Sequence, residues 1–355
     1  MLYRCNVCGR LFNKEIKTSN IFEQLMCEDC LNASLKNKLT LGLGVLHYKE
    51  SSEMILHALQ TVDNQKKFNF DNLTVIVVTD GEGIKLDESF INSHLKNIKP
   101  TYYYKQKNSH CGGVRNTIIK TLDTDYIMFM DCDDEFCNNK AFSRIYKKLI
   151  EHTPDVYYSG MLEELYNGKC LKYNNLMGLH MCHGKAYNKN FLVRNKIKFD
   201  EKLRVSEDIG FNMKVYNLSN KLIFDDRLIS YKWKYHSGSL TRENDIVLKL
   251  DSYYRCFHDA LTEFNKWFFE IKDKNEFVND NFVSMMYNLL YYRIQTTKFK
   301  DKKLKDMYIK KYFDYVTYPN LNFKLTDKID KIINRKLMRR IPYFSEAYKK
   351  YKTLN

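Results

Sequence analysis

Proline and glycine are scarce in this chain of 355 residues, which holds 4 prolines and 13 glycines. So few backbone breakers leave little room for long flexible linkers. Long apolar runs are missing too. No stretch of the sequence reaches the roughly 18 uncharged apolar residues that a bilayer-spanning helix needs. The opening "MLYRCNVCGR" lacks the apolar region of a secretory signal. These absences argue against a membrane span and a secreted chain, and a cytoplasmic protein is expected. Acidic charge is also in deficit, with 43 Asp and Glu against 58 Lys and Arg, a net charge of +15. Much of the excess sits at the end, where Thr296 to Asn355 carries 17 basic residues against 6 acidic ones. Such a tail suits an anionic partner: nucleic acid, a membrane surface or a polyanionic polymer. A solvated helical face is the plainer reading of the same charges.

The length allows two or three domains with at least one sizeable core. Cysteine is plentiful, with 10 in all, and its spacing is uneven. Cys5, Cys8, Cys27 and Cys30 form two Cys-x-x-Cys pairs separated by eighteen residues. That is the pattern of a four-thiolate zinc ribbon, in which each pair places both sulfurs on one side of a tight turn. With no secretion signal, metal ligation is a better reading than disulfides. Residues 1–37 are therefore expected to be a zinc ribbon. So short a segment draws its folding energy from the metal.

From Leu39 the pattern changes to alternating strands and helices. "LTLGLGVLHY" is a short apolar run, and "SSEMILHALQTV" has helical spacing with Ser51 or Ser52 as N-cap. "LTVIVVTDG" is a near-continuous β-branched run closing on Asp80-Gly81, as a strand buried on both faces does. "TYYYKQK" is a further strand, "GGVRNTIIKTLDT" a helix, and "YIMFMDCDDEF" the next strand. This order predicts an α/β domain over 38–245 with a mostly parallel sheet. Ligands of such sheets bind beyond the carboxyl ends of the strands. Residues 246–355 read as a helical, basic region rich in Tyr and Phe.

The strand "YIMFMDCDDEF" leaves the core and stops on Asp131, Asp133, Asp134 and Glu135. Crowded carboxylates repel and resist losing water, so a cation is expected among them. Asp131 and Asp133 can face one divalent ion, and Mg²⁺ or Mn²⁺ commonly shares such ligands with substrate phosphates. Asp134 and Glu135 are expected to play supporting or solvent-facing roles. His180, Cys182 and His183 in "LHMCHGKAYNK" form another possible metal group, without a fourth ligand at a normal spacing. The same stretch is also read as lining an acceptor.

Four motifs in order resemble family-two glycosyltransferases, the inverting sugar-nucleotide enzymes of GT-A (Rossmann-like) fold. "GVLHYKE" is similar to the family's opening strand and Tyr-Asn-x-Glu turn, with Lys49 where Asn is usual. "VIVVTDGEG" resembles its Val-Val-Asp-Asp-Gly-Ser, with Thr79 in place of the first Asp. "GGVRNTIIKTLDTDYIMFMDCDDEF" resembles the helix leading into Asp-x-Asp, and "SEDIGFN" the Glu-Asp-x-x-Phe element. The resemblance covers about Leu39 to Glu243.

The resemblance implies a nucleotide-sugar donor, with a UDP-sugar as default. Mn²⁺ or Mg²⁺ would sit at Asp131 and Asp133 and neutralise the leaving diphosphate. Tyr48, Glu50, Asp80 and Arg115 would bind the donor, Asp80 at the nucleotide base. A structural salt bridge is the other reading of Arg115. Asp208 would be the general base, with Glu207 as its alternative or its orienting neighbour. "KYHSGSLTRE" would fold over the diphosphate, with His236, Ser239, Thr241 or Arg242 touching phosphate or metal.

The expected function is metal-dependent, inverting sugar transfer to a hydroxyl acceptor. An envelope glycan or other polymer is the leading acceptor, and the basic tail would then lie on an anionic membrane surface. Hydroxymethylated bases in phage DNA are the alternative, fitting the ribbon and the tail. A second alternative is a catalytically inactive zinc-ribbon binding protein, which intact Asp131, Asp133 and Asp208 argue against.

Overall fold

The computed structural model describes residues 2–4, 11–13, 39–81, 85–173, 181–202, 207–236, 302–304 and 306–307. Strands β1 (Leu2–Arg4) and β2 (Leu11–Asn13) pair antiparallel on either side of the first cysteine pair. Cys5, Cys8, Cys27 and Cys30 themselves lie outside the described residues, as does nearly all of the expected C-terminal helical region.

The main body is built on β3 (Leu41–His47), β4 (Leu73–Thr79), β5 (Thr101–Tyr104) and β6 (Tyr126–Asp131). These strands run parallel, with β3 between β4 and β6. Every residue of β3 is buried, as the apolar run predicts for a strand covered on both faces. Helices α1 (Ser52–Asp63), α2 (Glu88–Ser93), α3 (His110–Thr121) and α4 (Ala141–His152) connect and cover them. Ser51 caps α1 by accepting from the Met54 N–H at 3.4 Å.

The second half departs from the expected mostly parallel sheet. It adds β7 (Glu135–Phe136), β8 (Val156–Glu164), β9 (Cys170–Tyr173), β10 (Lys185–Asn188) and β11 (Leu222–Trp233). The sheet order is β5-β4-β3-β6-β10-β8-β11-β7, with β9 on β8. Four of these eight pairings are parallel and four antiparallel, so the sheet is mixed. The short β10 is a main cause, because it lies between β6 and β8 and runs against both. The pairings of β7 with β11 and of β9 with β8 supply the other two reversals. Helices α5 (Lys189–Arg194) and α6 (Glu207–Leu218) complete the layer.

Strand alternation divides the core. Leu41, Leu43, Val45, Val75 and Met128 face α1 and α4 through Ile55, Leu59, Phe142 and Ile145. Ile76, Val78, Ile127 and Phe129 face α3, α5 and α6 through Ile118, Phe191, Phe211 and Val215. Gly44 lets α3 approach β3, because a Cβ there would overlap the Ile118 side chain. Ile118 is itself fully buried. Gly44→Ala is therefore expected to destabilise the domain by about 1–3 kcal/mol, measured by urea unfolding. An unchanged midpoint would mean that α3 shifts freely.

Candidate active site

The parallel strands deliver their polar residues to one edge. At the end of β3, His47 is buried between the Thr79 hydroxyl (2.9 Å) and the Glu50 carbonyl (3.0 Å). Burial lowers its basicity more than nearby Glu50 restores it. Glu50 turns back to accept from the N–H groups of Tyr48 (2.9 Å) and Lys49 (3.1 Å). At the end of β4, buried Asp80 accepts from the Ser109 N–H (2.8 Å) and hydroxyl (2.9 Å). Asp80 thus holds the turn that starts α3.

Arg115, on α3, joins two groups of carboxylates. The residue is 4% exposed. One terminal nitrogen donates to Glu207 at the start of α6. The other reaches Asp131 Oδ1 at 3.3 Å. Its guanidinium lies 5.5 Å from the Phe199 ring centroid. Burial alone would raise the Asp131 carboxyl, but Arg115 and then His183 hold it down to about 2. The salt-bridge reading of Arg115 is correct as far as it goes, and the bridge spans the site.

Asp131 also meets residues that the motif reading placed elsewhere. His183 Nε2 stands 3.2 Å from Asp131 Oδ2 and 3.9 Å from Asp134 Oδ2. Asp134 is not solvent-facing, at 1% exposure. It accepts from the Tyr231 hydroxyl (2.8 Å) and the Lys234 N–H (2.8 Å). The same Tyr231 oxygen accepts the Asp131 N–H at 3.1 Å, and its ring stacks on His183 at 4.8 Å. Burial, then the charges of Asp133 and Asp131, push the Asp134 carboxyl well up. Asp131, Asp134 and His183 offer ligand atoms within 4.8 Å of one another. Two carboxylates and an imidazole fit Mn²⁺ well and Mg²⁺ less well, since Mg²⁺ favours oxygen. Asp133 contacts His236 instead, so the expected set of Asp131, Asp133 and His236 is divided between two neighbouring pairings. Ser239, Thr241 and Arg242 lie outside the described residues, as does His180.

Asp208 follows Glu207 in the first turn of α6. Burial, then the Glu207 charge, push its carboxyl up to about 7. Behind it, Asn212 donates to the Asp208 carbonyl (3.0 Å) and accepts from the Tyr187 hydroxyl (2.7 Å). Lys185 is 1% exposed, and its ammonium donates to the Met181 carbonyl. Burial pulls that ammonium down to about 7. Tyr231, Lys185 and Asn212 were not singled out by sequence.

A strand-end carboxylate group is thus braced by one buried arginine to a helix that starts Glu-Asp, which brings candidate cation ligands and a candidate base to one edge of the sheet. Residues 44–217 match the family model for Glycosyl transferase family 2, and this stretch is a glycosyltransferase domain. Glycosyltransferase GlyA of Streptococcus pneumoniae serotype 4 is 26% identical over 200 residues, covering 49% of this chain and 28% of that protein. A teichoic acid poly(glycerol phosphate) polymerase of Staphylococcus epidermidis is 23% identical over 250 residues, covering 63% of this chain and 33% of that protein. The chain thus spans a third or less of these curated relatives. The crystal structure of S. aureus TarS 1-349 with UDP-GlcNAc shares the fold, at a TM-score of 0.51 and 18% identity, over 78% of this chain and 72% of that one.

Proposed function

We propose that this chain transfers a sugar, with inversion, from a nucleoside-diphosphate sugar to a hydroxyl of an envelope polymer. The observation that carries the reading is Arg115, which ties Asp131 on the donor side to Glu207 beside Asp208. Asp131 and its neighbours Asp134 and His183 would hold a divalent cation, with Asp133 and His236 alongside. The bound cation supplies charge neutralisation for the leaving diphosphate. Glu207 is engaged by Arg115 and is poorly placed to take a proton. Asp208 is the better base: its Oδ removes the acceptor hydroxyl proton as that oxygen attacks the anomeric carbon. The new bond forms opposite the bond to the diphosphate, which breaks with its electron pair. Direct displacement of this kind inverts the centre.

UDP-GlcNAc is the first donor to test, because a protein of this fold binds it. The polymer acceptor is supported by the polymerase relative. The test is release of nucleoside diphosphate from a donor panel with Mn²⁺ and wall-polymer acceptors. Turnover that depends on Mn²⁺ and on acceptor is expected. No release from any donor would sink the enzyme reading. Transfer to hydroxymethylated DNA with salt-sensitive binding would move the acceptor to nucleic acid.

A further inference from the structure

The Met181–Lys185 turn stands between the cation ligands and the base. Its closing contact is made by a lysine amine inside the core. A buried lysine amine is unfavourable compared with an apolar side chain of similar length, so its presence here calls for a reason. Lys185 donates to the Met181 carbonyl across the turn, and its ammonium lies 4.6 Å from the Tyr158 ring centroid. Between them, Gly184 takes φ +67, which side chains rarely adopt. The turn presents two residues in opposite senses. His183 leaves it toward Asp131 (3.2 Å) and Asp134 (3.9 Å). Cys182 is fully buried and meets Asn212 at 3.6 Å, the same amide that holds the Asp208 carbonyl at 3.0 Å.

We propose that Lys185 is a positioning residue that acts through His183: by closing the Met181–Lys185 turn it sets the imidazole against Asp131 and Asp134, and so sets the affinity of this group for a divalent cation. The proposal rests on the metal-dependent reading above. Groups behind metal ligands commonly change affinity by about 10–100-fold when removed. An imidazole stacked on Tyr231 has its plane fixed by that ring, so the turn has to fix its height and reach.

The experiment is a double-mutant cycle read by the electron paramagnetic resonance signal of free Mn²⁺, with no turnover needed. Lys185→Met is expected to weaken Mn²⁺ binding about tenfold in the native background. In a His183→Ala background the same change is expected to have no further effect. Lys185→Gln, a milder change that keeps an N–H donor, is measured alongside to guard against misfolding of the Met variant. Its loss is expected to be smaller and to vanish equally without His183. Equal losses in both backgrounds would overturn the proposal, because Lys185 would then not act through His183. Unchanged affinity in the native background would overturn it too. Absence of Mn²⁺ binding by the unmodified chain would instead sink the metal-dependent reading itself.

Discussion

Asp208→Asn is expected to lower transfer by about 10²–10⁴-fold, the contribution usual for a positioned general base. The amide matches the carboxylate in shape but accepts no proton. Donor affinity is expected to stay near native, because the cation ligands stand on the other side of Arg115. The pH profile sharpens the test. Burial and Glu207 push the Asp208 carboxyl up to about 7, so its active, ionised form grows as pH rises toward neutrality. Cation charge beside Asp131 acts in the opposite sense and brings the limb to lower pH. The native rate should therefore climb through the acid range and level off, while the residual rate of the Asn variant lacks that limb. Stability moves the other way. Asp208 holds its proton more tightly folded than unfolded, so its ionisation subtracts stability as pH rises from about 4 toward about 7. The Asn variant should be free of that loss and unfold at higher urea at neutral pH. Loss of activity with gain of stability marks a base rather than a prop. Native activity in the Asn variant would pass the role to another group.

Much of the first half of the domain was legible because its signals are local. Val75 to Val78 form a β-branched run, and a strand buried on both faces needs little else to be recognised. Ser51 sits one residue before a helical period and does cap α1. Asp131 ends its strand where the acidic cluster begins. The mixed order of the second half carries no such signal. β10 has only 4 residues, and nothing in them tells that Tyr187 pairs with Ile127 on one side and Val156 on the other. Asp134 shows the same limit at the site. An aspartate in an acidic loop reads as solvent-facing, yet its partners are Tyr231 and Lys234, about a hundred residues on. His183 was noticed for its neighbours in sequence, His180 and Cys182, whereas its partner in space is Asp131. Spacing thus singled out residues able to ligate a cation, and tertiary pairing decided which of them meet.

Arg115→Met is expected to be the most destabilising change in the domain. Methionine fills the path of the aliphatic stem but offers no donor. Glu207, 6% exposed, is left with its buried carboxylate facing Asp131 across the space where a cation stood. Breaking a buried ion pair from one side costs about 3–5 kcal/mol, because the remaining charge stays desolvated. The pH dependence has a definite sign. In the native chain burial opposes ionisation of Asp131, yet Arg115, with His183, holds its carboxyl down to about 2. That stabilisation is complete above the unfolded value near about 4 and is lost as pH falls through the folded value. The Met variant never has Arg115's share of it, so the deficit should be widest at neutral pH and shrink in acid, where Asp131 takes up its proton. Urea unfolding at pH 7 and at about pH 2–3, inside the window between the unfolded and folded values, measures this directly. Arg115→Met combined with Glu207→Gln tests the cause: replacing the stranded charge with an amide should restore most of the lost stability. It should not restore transfer, because Asp131 and the helix carrying Asp208 would still lack their common brace. A double variant as unstable as the single one would assign Arg115 to packing and leave the two halves of the site without their electrostatic link.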